Sequence, residues 1–322
     1  MSPPVDSEYD LGLASAPSLR RSPWERRALL SAVLSAGTWV ASLLAAVPLI
    51  SVLYMLVVRG GARLSFSLFT ELPPAGFETG GGFGHAILGT LVMIGIASLL
   101  SIPFGVLSAV YLAELGPDTQ VSRAARFAIK TMTGMPSILA GVFAYAAVVF
   151  VTGTYSAPAG GVALAVLMLP TVVLTAEEAL KMVPRITKDA AHGMGCTHTQ
   201  VIWKVVLPTA LPGVLTGVML AIARAAGETA PLLFTALFSN YWLLENGRIH
   251  LMQPTASLAV LIYNFSGMPF ENQVELAWAA SLVLVVIVLI INILSRIFGH
   301  QGGARSLFRL AVVTRRSSRQ KH

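Results

Sequence analysis

Arg224 and Glu228 are ionisable residues that stand four positions apart inside an apolar stretch running from Pro208 to about Ser239. Residues at i and i+4 share one face of a helix, so the two charges can pair. An arginine at the centre of a membrane helix costs about 2.5–3.5 kcal/mol on insertion scales, so such groups face a bundle interior or water. The pair therefore predicts either a path for a charged solute or an intrahelical salt bridge that only supports packing.

The same stretch predicts a helix break beside Glu228. Pro231 has no N–H to donate to the carbonyl of Gly227, and glycine is a weak helix former. We expect the helix to bend or unwind here and to turn backbone groups toward a cavity. Gly227 and Pro231 are accordingly the candidate hinge residues.

Composition excludes an ordinary soluble enzyme. Of the 322 residues, 55% are hydrophobic and only 11% are charged, well outside the range of soluble domains. The single cysteine, Cys196, excludes an intramolecular disulfide, and the histidines show no metal-ligand spacing, so no cofactor is expected. No lysine follows a glycine, so the sequence has no GxxxxGK[ST] loop for nucleotide phosphates. If ATP is used, another subunit must hydrolyse it.

Six membrane-spanning helices are predicted from uncharged stretches, since crossing the hydrocarbon takes about 20 helical residues. Turn-forming residues between Gly153 and Gly161 divide the longest stretch into two helices. The predicted spans are 28–58, 86–113, two within 131–176, one from about 208 to 239, and 276–295. The expected fold class is all-α, a polytopic membrane protein.

Basic residues are sorted between the two sides of these spans. Eighteen of the 22 lysines and arginines lie in the two tails and in the loops after spans two and four, whereas Arg59, Arg63 and Arg248 lie on the opposite side. Basic residues near short loops are retained in the cytoplasm, so both termini are expected there, in a bacterial plasma (inner) membrane protein. The net charge of +7 then faces anionic lipid, and no nucleic-acid partner is expected.

The chain divides into four parts along its length. The segment before Arg20 is rich in Ser and Pro and is acidic, which predicts disorder. The parts are a disordered cytoplasmic tail at 1–27, the first span with an external loop at 28–85, a core transmembrane domain at 86–298 with a cytoplasmic loop at about 181–208, and a basic cytoplasmic tail at 299–322.

A second charged cluster stands where span four nears the cytoplasm. Glu177 and Lys181 lie at i and i+4, next to Glu178. Pairs of this kind on a helix surface are common and contribute little energy. We therefore expect a solvated pair at the membrane interface. The alternative is that these residues line the inner mouth of a transport pathway.

The cytoplasmic loop carries a distinctive spacing. Lys188 is followed by Asp189-Ala190-Ala191, three residues, Gly195, nine residues and then Val205-Val206-Leu207-Pro208. The small alanines allow a short helix to approach a partner closely, and Gly195 can adopt a positive φ that turns the chain. An amphipathic connector helix on the inner leaflet is the alternative. The pattern resembles the EAA loop of the membrane subunits of ATP-binding-cassette (ABC) importers, with Asp for Glu and Val for Ile.

The stretch from Ala221 to Thr235, AIARAAGETAPLLFT, resembles the signature of the PstA-type permease subunits of phosphate ABC importers. Further similarity lies at Met252-Gln253-Pro254, at Leu276–Ala279 and at Asn292–Leu294, so the resemblance covers about 85–298. It implies the permease fold of type I ABC importers and ATP-driven import of inorganic phosphate. The implied substrate-path residues are Arg224, Glu228 and Thr229, and the implied ATPase-coupling residues are Lys188, Asp189, Ala190, Ala191 and Gly195.

The resemblance also implies partners: a second homologous permease subunit, a dimer of cassette ATPases and an extracytoplasmic phosphate-binding protein. One departure concerns Leu174, where related permeases often carry an arginine, so a phosphate role at that position does not transfer. Two alternatives stay open. An ABC permease for another oxyanion or polar solute would fit the same architecture, and a secondary transporter or channel would leave the EAA-like loop unexplained.

Overall fold

The structure is a computed structural model that describes residues 26–245 and 248–318. The disordered tail predicted at 1–27 falls almost wholly on residues outside this described part. The described chain is helical apart from its loops and one pair of two-residue strands, as the all-α prediction requires. Residues up to Met55 form one compact unit, and residues from Leu56 onward form another.

The helices follow in chain order. They are α1 (Arg26–Met55), α2 (Ser67–Thr70), α3 (Gly84–Val110), α4 (Gln120–Thr133), α5 (Ser137–Ala144), α6 (Phe150–Thr152), α7 (Ala157–Lys181), α8 (Arg185–Gly193), α9 (His198–Val201), α10 (Leu207–Ala226), α11 (Ala230–Thr235), α12 (Leu258–Ser266) and α13 (Glu271–Ser318). The strands β1 (Leu244–Glu245) and β2 (Arg248–Ile249) pair antiparallel.

Several of these helices are extended or joined by short π-helical segments. These segments are Leu56–Gly60, Tyr111–Leu115, Tyr145–Val149 and Ile202–Val206. A π turn closes on residue i+5 and so accommodates one more residue than a regular turn. In this way α3 continues to Leu115, and α9 runs without interruption into α10.

The number of apolar helices agrees with the six-span prediction. Among the described residues, five are long and apolar enough to cross a membrane, or six if one bent pair counts as a span. The five are Leu29–Gly60, Gly84–Leu115, Ala157–Lys181, His198–Ala226 and Glu271–Leu294. The bent pair joins 120–133 to 137–152 at 107°. The predicted division of the long stretch is confirmed, because Gly153 adopts a φ of +71° between α6 and α7.

Some predicted boundaries were wrong. The fifth apolar helix begins at His198 rather than near Pro208, and it ends at Ala226 rather than near Ser239. The loop after the second span contains α4, whose basic and apolar residues recur with a helical period. The backbone of α13 stays helical to Ser318, beyond the end predicted at 295. Uncharged length alone did not reveal these ends, because π turns and amphipathic helices continue past the apolar stretch.

Helix α7 lies at the centre of the larger unit. In its most apolar window 61% of the residues are buried, against 28–33% in the other spans of that unit. It packs against α3, where a Cβ added to Gly105 would lie 2.6 Å from Cγ1 of Val172. Apolar side chains from α3, α7 and α10, including Met93 and Met168, form one continuous core.

The contact between α7 and α10 depends on two glycines spaced as GxxxG. A Cβ built on Gly217 would lie 2.0 Å from Oγ1 of Thr175, and one built on Gly213 would lie 2.9 Å from Cβ of Ala179. No larger residue fits at Gly217 unless the helices separate. Small residues allow this approach, and close packing is what holds helices together in lipid.

We expect Gly217→Val to destabilise the folded chain by about 1–3 kcal/mol, because the added methyl groups overpack the contact with α7. Gly95→Val is the matched control, since nothing lies within 4 Å of a Cβ at that helical position. Thermal unfolding of the two purified variants in the same detergent measures the difference. Equal melting temperatures for both variants would contradict the close contact.

Candidate functional site

The predicted helix break is present beside Glu228. Helix α10 ends at Ala226 and α11 begins at Ala230, leaving 227–229 outside both helices. The last turn of α10 tightens, because the amide of Gly227 donates to the carbonyl of Arg224 at 3.1 Å and that of Glu228 donates to Ala225 at 3.2 Å. Pro231 lies in the first turn of α11, where its missing N–H costs no intrahelical bond.

Helix α11 is held in place by α5. A Cβ added to Gly141 of α5 would lie 2.7 Å from Cα of Pro231, so the two backbones touch directly. Thr229 precedes α11, and its carbonyl accepts hydrogen bonds from the amides of Leu232 and Leu233. The side chain of Thr229 makes no capping bond and is half-buried beside the break. The break is therefore a defined feature of the packed bundle.

Arg224 and Glu228 are paired across the break, as their spacing predicts. The Nε of Arg224 lies 3.7 Å from Oε1 of Glu228. The side chain of Arg224 is 56% exposed on the chain, whereas that of Glu228 is only 18% exposed. At this separation the carboxylate attracts the guanidinium without occupying all of its donors. The arginine fork thus remains available to a further anionic group.

Helix α8 carries the EAA-like residues. Ala191 is buried against the core, while Asp189 and Ala190 are exposed. Asp189 lies in the middle of α8, because the helix already begins at Arg185 after Pro184. Gly195 has a φ of +86°, which confirms the predicted sharp turn after the helix.

Lys188 faces the end of the second apolar helix. Its Nζ lies 2.5 Å from Oε1 of Glu114, in a pair whose side chains are 21% and 7% exposed. The ring Nε2 of His198 lies 3.3 Å from the backbone carbonyl of Glu114. Helices α8 and α9 are thus both tied to one residue. Lys188 thereby fixes α8 to the bundle. Sequence reasoning did not select Glu114, because it lies 74 positions before Lys188 and no local pattern indicates that the two meet.

Glu177 is a buried hub, so the prediction of a solvated pair was wrong. Only 4% of the residue is exposed. Its Oε1 accepts from Nζ of Lys181 at 2.5 Å and from Nε of Arg126 at 2.8 Å. Arg126 also donates to the backbone carbonyls of Leu112 and Pro117. The charge of Glu177 is buried because α4 folds across the end of α7 and brings this arginine to it.

Exposed apolar side chains surround α8. Met182, Ile186 and Met194 are each more than three-quarters exposed. They lie before, within and after α8, on the same part of the chain as exposed Asp189. Methionines and small residues at such a surface are suited to contact with another protein.

Comparison with known proteins places these features in a family. Residues 101–301 match the family described as the inner membrane component of binding-protein-dependent transport systems. The chain is 38% identical over 251 residues to the phosphate transport system permease protein PstA of Pasteurella multocida, covering 78% of this chain and 87% of that protein. It is 37% identical over 279 residues to the PstA protein of Yersinia pestis, covering 86% and 92%.

The chain belongs to this family of inner membrane transport components. Among solved structures, a chain of a bacterial alginate ABC transporter, determined with a periplasmic protein bound to alginate pentasaccharide, superposes with a TM-score of 0.60. That likeness covers 88% of this chain and 99% of the other at 14% sequence identity, so it concerns the fold. The fold is that of an ABC transporter permease, and this member is a multi-pass membrane protein.

The family match spans both parts of the candidate site in this permease. Residues 101–301 include the hub at Glu177, helix α8 and the break at 227–229. One continuous helix leads from the turn after α8 to the break, since α9 and α10 run together from His198 to Ala226.

We expect Glu177→Gln to lower the stability of the permease by about 1–3 kcal/mol, because it removes the charge that two basic side chains share. Glu178→Gln is the matched control, since Glu178 adjoins the hub on α7 but is exposed. Thermal unfolding in detergent measures both variants. If the two substitutions have the same effect, the buried hub does not stabilise the fold.

Proposed function

We infer that this chain is the permease subunit of an ATP-driven importer of inorganic phosphate, of the PstA type. The relatives compared above are named for phosphate transport. The observation that carries the proposal for the site is Arg224, whose guanidinium is more than half exposed at the end of a long apolar helix. An accessible cation at the end of an apolar helix is suited to binding an anionic cargo.

Arg224 offsets the cost of bringing phosphate into a region of low dielectric. A phosphate dianion cannot cross hydrocarbon unaided, because the desolvation penalty of an ion is large. A guanidinium presents several N–H donors in a planar fork that matches phosphate oxygens. Glu228, held at 3.7 Å, orients the arginine and limits how tightly the anion binds. Binding that is not too tight allows release to the other side.

The break leaves the backbone beside this site outside a regular helix. Gly227 and Pro231 bound the irregular segment and act as its hinge, and the hydroxyl of Thr229 is available to a phosphate oxygen within it. Leu174 is half-buried on α7 and offers no hydrogen-bond donor. Arg224 is therefore the guanidinium on which recognition in this chain depends.

Helix α8 is the coupling element for a separate cassette ATPase dimer. Its exposed Asp189 and Ala190, with the turn at Gly195, form the surface that docks, and buried Ala191 holds the helix to the core. Lys188 acts as a positioning residue through Glu114. ATP is hydrolysed by that partner, consistent with a sequence that carries no GxxxxGK[ST] loop.

The remaining partners complete the path. A single permease leaves Arg224 on an open surface, so we infer that a second, homologous permease covers it and supplies the other half of the path. An extracytoplasmic phosphate-binding protein delivers the cargo on the side of the loop at about 240–275. Both termini lie in the cytoplasm, in the bacterial plasma membrane, because basic residues favour that side.

The orientation can be tested with cysteines, because Cys196 is the single cysteine of the chain. In a Cys196→Ser background, we expect Asn240→Cys to react in intact cells with a maleimide that does not cross membranes. Asp118→Cys, which is equally exposed but lies on the proposed cytoplasmic side, should react only after permeabilisation. The reverse labelling pattern would overturn the orientation.

Coupling is tested by Gly195→Val and Asp189→Lys. The first strains a residue with a φ of +86° and the second reverses an exposed charge, so both should leave membrane insertion intact and lower phosphate-dependent ATP hydrolysis by about tenfold or more. The measurement is ATPase activity and phosphate uptake of the assembled transporter.

Two control variants distinguish the loss of docking from the effects of backbone strain and of a reversed charge elsewhere in the chain. Gly153→Val strains a glycine with a φ of +71° in equally open space, but on the other side of the bundle. Asp118→Lys reverses an exposed charge outside α8. Both controls should retain coupling. Normal transport by the Gly195 and Asp189 variants would remove α8 from the coupling role.

The substrate path is tested by removing one charge and then both. Arg224→Leu should lower the amount of transporter in the membrane, because it leaves Glu228 unpaired. Arg224→Leu combined with Glu228→Gln should restore abundance, yet uptake per transporter should stay at least about tenfold lower, since a hydrogen bond to a charged group is worth about 1.5–3 kcal/mol. Uptake of labelled phosphate, normalised to permease content, is the measurement.

Two further results complete this test. Arg224→Lys should recover part of the uptake, because it keeps the charge and loses the planar fork. Excess sulfate should not compete with labelled phosphate; competition would favour another oxyanion as the cargo. Full uptake by the double variant would leave the pair as a packing element.

A further inference from the structure

A cavity of about 450 Å³ lies at one end of α13 within the larger unit. Its lining consists of Val58, Arg59, Ala62, Arg63, Glu271, Val274, Glu275 and Trp278. Two guanidinium groups and two carboxylates thus share one small space. The chain segments are pressed together here, because a Cβ added to Gly60 would lie 2.7 Å from the carbonyl oxygen of Trp278.

The four charged groups differ in how they are engaged. Nη2 of Arg63 donates to Oδ1 of Asn272 at 2.5 Å, and its Nε lies 3.6 Å from Oε2 of Glu275. Arg59 instead lies over the indole of Trp278, with its guanidinium carbon 5.7 Å from the ring centroid. Among the described residues, no carboxylate lies within ion-pair distance of Arg59, and no basic group lies within ion-pair distance of Glu271. One cation and one anion of the lining are left for a ligand.

The sequence on either side of the cavity indicates that it lies where a membrane meets water. Arg59 follows directly on an uncharged sequence that begins at Ala28, and Trp278 precedes the uncharged stretch 279–295. Tryptophan is enriched at membrane interfaces, and arginine near the end of an apolar helix reaches headgroups. A ligand in this position meets both the headgroup region and the hydrocarbon.

We propose that this cavity binds the headgroup of a zwitterionic phospholipid with a primary ammonium group, of the phosphatidylethanolamine type. Arg59 receives the phosphate, and Glu271 with Glu275 accepts hydrogen bonds from the ammonium. Arg63 already pairs with Glu275, so an anion bound alone at Arg59 would leave the carboxylate of Glu271 uncompensated. A choline headgroup carries no N–H to donate to them. The balanced charges therefore select a zwitterion that can donate hydrogen bonds.

An apolar stripe leads away from the cavity along α13. Trp278, Val285, Leu289 and Ile293 recur with the spacing that places residues on one face of a helix. The last three of these side chains are each at least 40% exposed. An acyl chain attached to a headgroup in the cavity has this face to lie against.

The test is native mass spectrometry of the transporter purified with the full-length chain. The probes are phosphatidylethanolamine, phosphatidylcholine and phosphatidylglycerol with identical acyl chains, added in equal amounts. We expect phosphatidylethanolamine to be retained about tenfold better than the other two. Arg59→Gln should lower its retention by about tenfold. Arg123→Gln, which removes an exposed arginine outside the cavity, should not change it.

A second variant, Glu271→Gln, tests the proposal even if Arg59→Gln fails to fold. Glu271 is exposed and unpaired in the described chain, so Glu271→Gln should leave the fold intact and reduce the preference for phosphatidylethanolamine over phosphatidylglycerol. Millimolar inorganic phosphate should not displace the lipid. Equal retention of all three lipids, an unchanged preference in Glu271→Gln, or displacement by inorganic phosphate would overturn the proposal.

Discussion

Helices that are already surrounded by hydrocarbon gain little from burying more apolar surface against one another, so they must be held together by close contact. In this permease that constraint falls on α7. Glycines of α3 and α10 bring their backbones against it, at Gly105 facing Val172 and Gly217 facing Thr175. This packing also positions two other features. The helix break follows the end of α10, and the loop that contains α8 precedes the continuous helix of α9 and α10.

Charged residues perform a different task at the end of the bundle near α8. Glu177 joins α7 to α4 through Arg126, and Glu114 joins the end of α3 to α8 through Lys188. In both cases a nearly buried carboxylate is satisfied by a partly exposed base. The pair at Glu114 thus ties α8 directly to the end of α3, and the pair at Glu177 ties α4 to α7 beside it.

Local features of this fold could be predicted from sequence, and contacts between distant segments could not. The break at Glu228 and the turn at Gly195 follow from proline and glycine at fixed places, so both were predicted. The burial of Glu177 depends on Arg126, which is 51 positions away in the sequence. The sequence shows only that Lys181 is four positions from Glu177, and this spacing led to the prediction of a solvated surface pair. The site at Arg224 falls between these cases, because its pairing is local while its exposure depends on the packed bundle.

The π-helical segments have a consequence for how this molecule tolerates change in length. Each residue of an α-helix advances the side chains by about 100°, so inserting or deleting one residue rotates everything beyond it. The segment Ile202–Val206 lies between α9 and α10 and so sets the rotation of α9 about the helix axis relative to α10. Substitutions there preserve this rotation, whereas losing the additional residue would turn α9 away from Glu114. In such segments the number of residues therefore matters more to the structure than the identity of their side chains.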